Sequence, residues 1–365
     1  MAGPVVIAAG GTGGHIFPAQ SLAQELAKRG RRVVLMTDDR GHNYAQSFPQ
    51  AQIVTVPSAT FAGRGAAGKA LAVLRLARGA VAAYFALGRV KPAVVVGFGG
   101  YPALPTMFAA ARRGVPSIIH EQNAILGRVN RWLAPAVTRI ASSFTKLSHL
   151  DPALTSRVSV TGNPVRPAVI AGAKPYRRPE TSGRFSLLVF GGSQGARVLA
   201  TLVPEAIGKL PADLRARLDL VQQCRPEDLE AAKARYGAMG LQPTLASFFT
   251  DMGERLSAAH LVISRAGAST VTELSAVGRP SILIPYPFAM DDHQSANARE
   301  MADAGAAWTY QEAGLSADVL AGKIIELAQS PVLLETAAAK ALSLGRSDAA
   351  ARLADLVEEV GGLRS

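Results

Sequence analysis

Three stretches of this sequence place glycines where an apolar run gives way to a helical pattern. They are Gly10-Gly11-Thr12-Gly13-Gly14-His15, Gly97-Phe98-Gly99-Gly100-Tyr101-Pro102 and Gly191-Gly192-Ser193-Gln194-Gly195-Ala196-Arg197. Glycine lets the backbone approach a bulky anion, and a helix start presents unpaired N–H groups, so a phosphate or pyrophosphate is the natural guest. One such cluster would be explained by a tight turn; three in one chain favour anion sites. The spacing is not that of the dinucleotide G-x-G-x-x-G, and no Gly-Lys-Ser/Thr ending marks a P-loop. His15, at the end of the first cluster, is a candidate base.

Polar residues gather at other strand ends. His120-Glu121-Gln122-Asn123 closes an apolar run, where it could hydrogen-bond a sugar or hold a proton acceptor, or simply cap a loop. Ser264-Arg265-Ala266-Gly267-Ala268-Ser269-Thr270-Val271-Thr272-Glu273 carries a strand end, a turn and a helix start. Glu273 there could accept both hydroxyls of a ribose, or it could only favour the helix dipole. Asp291-Asp292-His293 fits no strong metal-ligand spacing and reads as N-capping of the helix that follows, so no metal is expected. The single Cys224 cannot form an internal disulfide and reads as an inert thiol in a reducing compartment.

The elements that must position these residues alternate between short β-rich runs and longer helical patterns, the signature of parallel βαβ units. In the first half, strands are expected at 5–9, 32–36, 52–56, 93–97, 117–120 and 137–141, with helices at 18–29, 69–89 and 102–113. The second half repeats the scheme, with strands at 186–190, 219–222, 245–248, 261–264, 281–284 and 307–310. Helices are expected there at 195–210, 226–236, 269–277 and 294–304. The fold class is α/β: two Rossmann-like doubly wound lobes with ligands at the carboxyl ends of the strands, in a cleft between lobes. The expected domains are 1–163, 164–345 and a terminal helix, 346–365, packing back on the first lobe.

Charge divides unevenly. Of the net charge of +12, residues 1–165 carry 18 Lys and Arg against 5 Asp and Glu, and the rest is nearly balanced. A one-sided basic lobe fits an anionic partner. Aromatics at 6% and the lack of a nucleic-acid-binding motif argue against nucleic acid. The N-terminal run Val5-Val6-Ile7 reads as a strand rather than a signal peptide. No apolar run is expected to reach the ~20 residues of a spanning helix, so the chain is read as soluble or peripheral to a membrane. Leu71, Leu74, Leu76, Val81, Tyr84 and Phe85, with Arg75, Arg78 and Arg89, could form a docking surface, with core packing the competing fate for about half of them.

Taken together, the motifs resemble the MurG family of lipid-linked N-acetylglucosamine transferases. The matching stretches are GGTGGHIFPA at 10–19, GFGGYPALP at 97–105, HEQNAILGRVNRWLA at 120–134, GNPVR at 162–166, GGSQGAR at 191–197, SRAGASTVTEL at 264–274 and DDHQSANA at 291–298. The resemblance implies a GT-B fold and inverting transfer of N-acetylglucosamine from UDP-N-acetylglucosamine to undecaprenyl-pyrophosphoryl-N-acetylmuramoyl-pentapeptide (lipid I to lipid II), without a cofactor. It implies donor contacts at Thr12, Gly13, Gly14, Asn123, Arg166, Ser193, Phe249, Ala268, Ser269, Thr270, Glu273 and Gln294. The acceptor pyrophosphate falls to Gly11, Gly99, Gly100 and Tyr101. The sequence departs from the family at Ala103, where serine is common. His15 is the expected base, with Glu121 as runner-up. The resemblance further implies a peripheral enzyme on the cytoplasmic face of the inner membrane, against an anionic lipid surface and near the cell-wall and division machinery. Competing readings are a UDP-N-acetylglucosamine epimerase-like enzyme of the same architecture and a non-catalytic nucleotide-sugar-binding scaffold.

Overall fold

The computed structural model describes residues 3–39, 48–60, 65–192 and 195–364. Their contacts divide the chain into one unit of 1–166 with 347–365 and a second of 167–346.

The first unit carries a seven-stranded sheet: β1 (Val5–Ala8), β2 (Val33–Thr37), β3 (Ala51–Thr55), β4 (Val94–Gly97), β5 (Ser117–Glu121), β6 (Arg139–Ser142) and β7 (Val158–Val160). The strand order is β3-β2-β1-β4-β5-β6-β7, every pair parallel. Parallel strands need crossover helices on both faces, which is why β1, β2, β4 and β5 are buried from end to end; β1 and β4 read as apolar runs, whereas β5 ends on the buried polar pair His120 and Glu121. The crossovers include α1 (Gly13–Lys28), α2 (Ala66–Val90), α3 (Gly100–Arg112) and the short α4 (Arg128–Leu133). The expected strands are present within two residues at each end. The strand β7 was not expected: three half-buried residues are too short for a periodic signal.

The helices correct the sequence reading at their starts. Expected to open at Pro18, α1 opens at Gly13, so Gly13 and Gly14 are its first turn and Pro18 lies inside it. At the sixth position of the helix, Pro18 removes the bond that an amide would donate to the Gly14 carbonyl, so the interruption falls near the helix start. The long helix α2 also overturns the expectation that no segment is apolar enough to span a bilayer, since its length and composition suffice. Its place in the fold is that of a crossover between β3 and β4. Ala72, Gly79, Ala83, Ala86 and Leu87 are buried along one face, and a Cβ on Gly79 would lie 2.0 Å from the Pro57 carbonyl oxygen.

In the second unit, α5 (Pro167–Ala171) precedes six parallel strands: β8 (Phe185–Phe190), β9 (Leu218–Gln223), β10 (Thr244–Ala246), β11 (Leu261–Ser264), β12 (Ser281–Leu283) and β13 (Ala307–Thr309). They are ordered β10-β9-β8-β11-β12-β13. Between them run α6 (Arg197–Gly208), α7 (Ala212–Ala216), α8 (Leu229–Gly237), α9 (Met252–Ala258), α10 (Ala268–Val277) and α11 (His293–Asp303). Then follow α12 (Ala317–Ala328) and α13 (Pro331–Leu344). The main core packs Phe185, Leu187 and Val189 against Leu199, Val203, Leu320 and Ile324. The last helix, α14 (Ala349–Val360), belongs to the first unit, where Leu353, Leu356 and Val357 join the core of β1, β4 and α1.

Candidate active site

Each sheet reverses its winding once, between β1 and β4 in the first unit and between β8 and β11 in the second. In open α/β sheets the ends of two such neighbouring strands diverge into a crevice at their carboxyl edge, the usual ligand position. The glycine-rich loops end on these strands: Gly10–Thr12 after β1, Phe98–Gly99 after β4 and Gly191–Gly192 after β8. None of the helices that follow them, α1, α3 and α6, has a side-chain cap, and neither does α10 after β11. Their first-turn N–H groups therefore point outward without a side-chain acceptor.

In the first unit the two loops face each other closely. A Cβ on Gly10 would lie 2.7 Å from Pro102 Cβ, and one on Gly100 would lie 3.3 Å from His15 Cδ2 and Nε2. Gly11, Gly99 and Gly100 hold φ values of +88°, +82° and +70°, a region that a side chain would strain. Gly11, Thr12, Gly13, Gly14 and His15 thus surround one strand end, and Gly99, Gly100 and Tyr101 the next. Ala103 is fully buried, so a hydroxyl at that position would face the core.

Behind this surface lies a buried polar network. His15 Nδ1 is 3.1 Å from Gln122 Oε1. Gln122 Nε2 donates to the carbonyls of Phe98 and His120, both at 3.0 Å, and lies 3.1 Å from His120 Nδ1. His120 Nε2 lies 3.0 Å from the Gly162 carbonyl oxygen. Burial pushes His120 down to about 4, and the neighbouring His15 acts in the same direction against the Gly162 hydrogen bond. It is therefore neutral at pH 7.

Glu121 is only 2% exposed. Its Oε1 accepts from the Asn123 backbone N–H and side-chain amide at 3.0 and 3.1 Å, and its Oε2 from Gly127 N–H and Asn130 Nδ2 at 2.9 and 2.8 Å. Four donors satisfy both oxygens of a buried carboxylate, so this geometry holds the 121–130 loop and leaves no lone pair poised for a substrate proton. Asn123 therefore sits on a loop pinned from beneath, and Arg166 lays its guanidinium 5.0 Å from the ring of Phe17 in α1.

In the second unit, Ala268, Ser269 and Thr270 form the first turn of α10 behind an N-cap glycine, Gly267. Cβ atoms built on Gly192 and Gly267 would lie 3.9 and 3.8 Å from Thr270 Oγ1, so the β8 loop and the start of α10 converge. Among the described residues the Ser269 hydroxyl has no hydrogen-bond partner. Glu273 is buried one turn further in. Gln294 Oε1 accepts from the N–H groups of Ala266 and Tyr286, at 3.2 and 3.0 Å, tying the ends of β11 and β12 together. Phe249 is 6% exposed, with the Arg255 guanidinium 4.1 Å above its ring, so its side chain is packing and only its backbone is left for recognition. Asp292 occupies the N-cap position of α11 at φ +53° without a capping bond, which corrects the capping expected from sequence. Ser193 lies outside the described residues. In the sequence Gln122 is one of four polar residues that could hydrogen-bond a sugar or hold a proton acceptor, and nothing singles it out, since an amide one residue past a strand carries no signal of its own.

Two Rossmann-like parallel sheets, each with one switch point, are the GT-B architecture, the fold class of nucleotide-sugar glycosyltransferases and of related nucleotide-sugar enzymes. Residues 5–142 match the glycosyltransferase family 28 N-terminal domain and residues 186–355 its C-terminal domain. Among solved structures, Acinetobacter baumannii MurG superposes with a TM-score of 0.79 at 30% identity, covering 98% of this chain and 99% of that one. A UDP-N-acetylglucosamine 2-epimerase from Listeria monocytogenes shares the fold at a TM-score of 0.69 with 15% identity, over 100% of this chain and 98% of that one. The chain is 51% identical over 361 residues to the UDP-N-acetylglucosamine–N-acetylmuramyl-(pentapeptide) pyrophosphoryl-undecaprenol N-acetylglucosamine transferase of Rhodospirillum centenum, covering 99% of this chain and 95% of that protein. It belongs to that transferase family, the MurG family.

Proposed function

We infer that this protein transfers N-acetylglucosamine from UDP-N-acetylglucosamine to the C4 hydroxyl of undecaprenyl-pyrophosphoryl-N-acetylmuramoyl-pentapeptide. The observation that carries the inference is a phosphate-type switch point in each unit, with the His15 imidazole beside that of the first. A reaction between two diphosphate-bearing substrates needs two such surfaces and one base.

The second unit takes the donor. Glu273 receives the ribose hydroxyls, the first turn of α10 with Gly192 and Ser193 receives the diphosphate, the Phe249 backbone reads uracil, and Gln294 shapes the sugar side. On the first unit, Gly11, Gly99, Gly100 and Tyr101 hold the acceptor pyrophosphate, while Thr12, Gly13, Gly14, Asn123 and Arg166 reach the donor in the reacting complex. The acceptor oxygen attacks C1 of the sugar from the face opposite the leaving group, and the C1–O bond to UDP breaks with inversion. The hydroxyl proton passes to His15 Nε2. The negative charge that develops on UDP is met by backbone N–H groups at α10, preorganised donors that need no metal. His15 rather than Glu121 takes the proton because the Glu121 oxygens are already filled.

The same reading places the enzyme on the cytoplasmic face of the inner membrane, where its acceptor is anchored, with partners in the cell-wall and division machinery. It is supported by the outer face of α2, where Leu71, Leu74, Val81 and Phe85 are each at least half exposed. Arg78 and Arg89 flank that stripe at helical spacing. The test uses proton NMR of UDP-N-acetylglucosamine incubated with the enzyme. UDP release that requires a lipid I analogue, with no UDP-N-acetylmannosamine formed in its absence, is expected. Epimerised product without acceptor would replace this function with the epimerase reading.

A further inference from the structure

The buried network behind His15 has a direction, and that direction fixes where the proton on His15 sits. The carbonyls of Phe98 and His120 can only accept, and both lie 3.0 Å from the same end of the Gln122 side chain. That end must be the amide NH2, because the flipped amide would set its oxygen against two carbonyl oxygens. His120 anchors the arrangement from the other side. Its Nε2 meets the Gly162 carbonyl at 3.0 Å and must carry a proton. In the neutral ring Nδ1 then holds a lone pair, and it faces the Gln122 NH2 at 3.1 Å. Gln122 and His120 are 1% and 0% exposed, so no solvent competes for these bonds. With its NH2 so committed, Gln122 turns its carbonyl oxygen toward His15 Nδ1 at 3.1 Å. An amide oxygen only accepts.

We propose that Gln122 is a positioning residue that holds His15 in the tautomer protonated at Nδ1, leaving Nε2 as the basic nitrogen facing the Gly99-Gly100 loop. A His15 protonated at Nε2 would present a donor to the acceptor hydroxyl and could not take its proton. The relation is that of an orienting group behind a general base, with a neutral amide in the place a carboxylate takes in hydrolase triads. A neutral amide fixes the tautomer without adding a charge that would hold the imidazole protonated.

The inference rests on His15 being the proton acceptor, and its test separates the two. The full chain is labelled with [15N]histidine, and long-range proton–nitrogen correlations are recorded at pH 8, the His15 signals being those lost in His15→Gln. The expected spectrum has His15 Nδ1 protonated and Nε2 bare; the reverse pattern in the wild-type protein overturns the proposal with no variant needed. Gln122→Met, similar in length but unable to accept as an amide does, is expected to lose that preference. Its kcat should fall by about 100-fold while KM for UDP-N-acetylglucosamine stays within about twofold, the pattern of a lost transition-state interaction. An unchanged tautomer or unchanged kcat in a folded Gln122→Met also overturns the proposal. Near-normal turnover by His15→Gln removes the base reading instead, while the tautomer assignment stands.

Discussion

The residues His15 and Glu121 lie at the carboxyl ends of β1 and β5, with β4 between them, and both could accept a proton, but their surroundings divide the roles. One imidazole nitrogen faces the Gly99-Gly100 loop, whereas the carboxylate is spent on four donors. Replacing Glu121 by Gln turns one of its acceptor oxygens into a donor facing a donor. The expected cost is about 1–3 kcal/mol of stability, from a buried hydrogen-bond partner left unpaired. Thermal melting should show a drop of several degrees, with kcat at saturating substrate reduced less than tenfold in the folded fraction. A normal melting temperature with kcat reduced about 1000-fold would instead make Glu121 the base. Little of this was visible in the sequence. His15 and Gln122 are 107 positions apart, and His120 and Gly162 are 42 apart, so the network exists only once the sheet has set β1, β4 and β5 side by side.

At the level of elements the sequence was more informative where burial is complete. The runs Val94–Gly97 and Leu261–Ser264 are buried throughout and announce central parallel strands by composition alone. The first turn of α1 was hidden because Gly13 and Gly14 have poor helix propensity. Packing overrides that propensity at Gly13, where an added Cβ would lie 2.8 Å from the Phe17 ring. The terminal helix α14 makes a different kind of contact. Arg29 reaches Asp355 at 2.6 Å and Glu358 at 3.0 Å, and Arg31 reaches Glu358 at 2.7 Å. Burial alone would raise the Glu358 carboxyl, but the hydrogen bonds from Arg31 and Arg29 outweigh it and hold it below the usual carboxylate range. A carboxyl lowered in the folded state contributes stability above its unfolded value, near pH 4.3, and loses it as pH falls through the folded value. Hydrogen exchange over 349–360 should therefore show α14 loosening as pH drops below about 4.3. Glu358→Gln should be looser already at pH 7 and lack that increment of acid sensitivity. Equal protection of the two proteins at pH 7 would show that the ion pairs do not hold the helix.

Across the whole molecule, charge follows the division into units. The first unit, with α14, holds 21 Lys and Arg against 9 Asp and Glu, and the second holds 18 against 18. The entire +12 sits with the unit that bears α2 and its exposed apolar stripe. Anionic vesicles should carry the protein to the top of a flotation gradient at low salt and release part of it at high salt, as screening shortens the reach of the arginines. Leu74→Glu with Phe85→Glu should abolish flotation without altering transfer to a soluble acceptor analogue. Equal binding to neutral vesicles, or flotation of the double variant, would remove α2 as the docking face.

The most direct test follows one sugar in a single turnover. UDP-N-acetylglucosamine labelled in the sugar is mixed with excess enzyme and a lipid I analogue, and the lipid extract is counted against time for the wild type and for His15→Gln at matched donor occupancy. The label should appear in the lipid as a β-linked N-acetylglucosamine. In His15→Gln the rate should be lower by about 100- to 10,000-fold, the span of general-base catalysis. An unlabelled lipid extract with the wild type, or equal rates for the two proteins, would contradict transfer driven by His15.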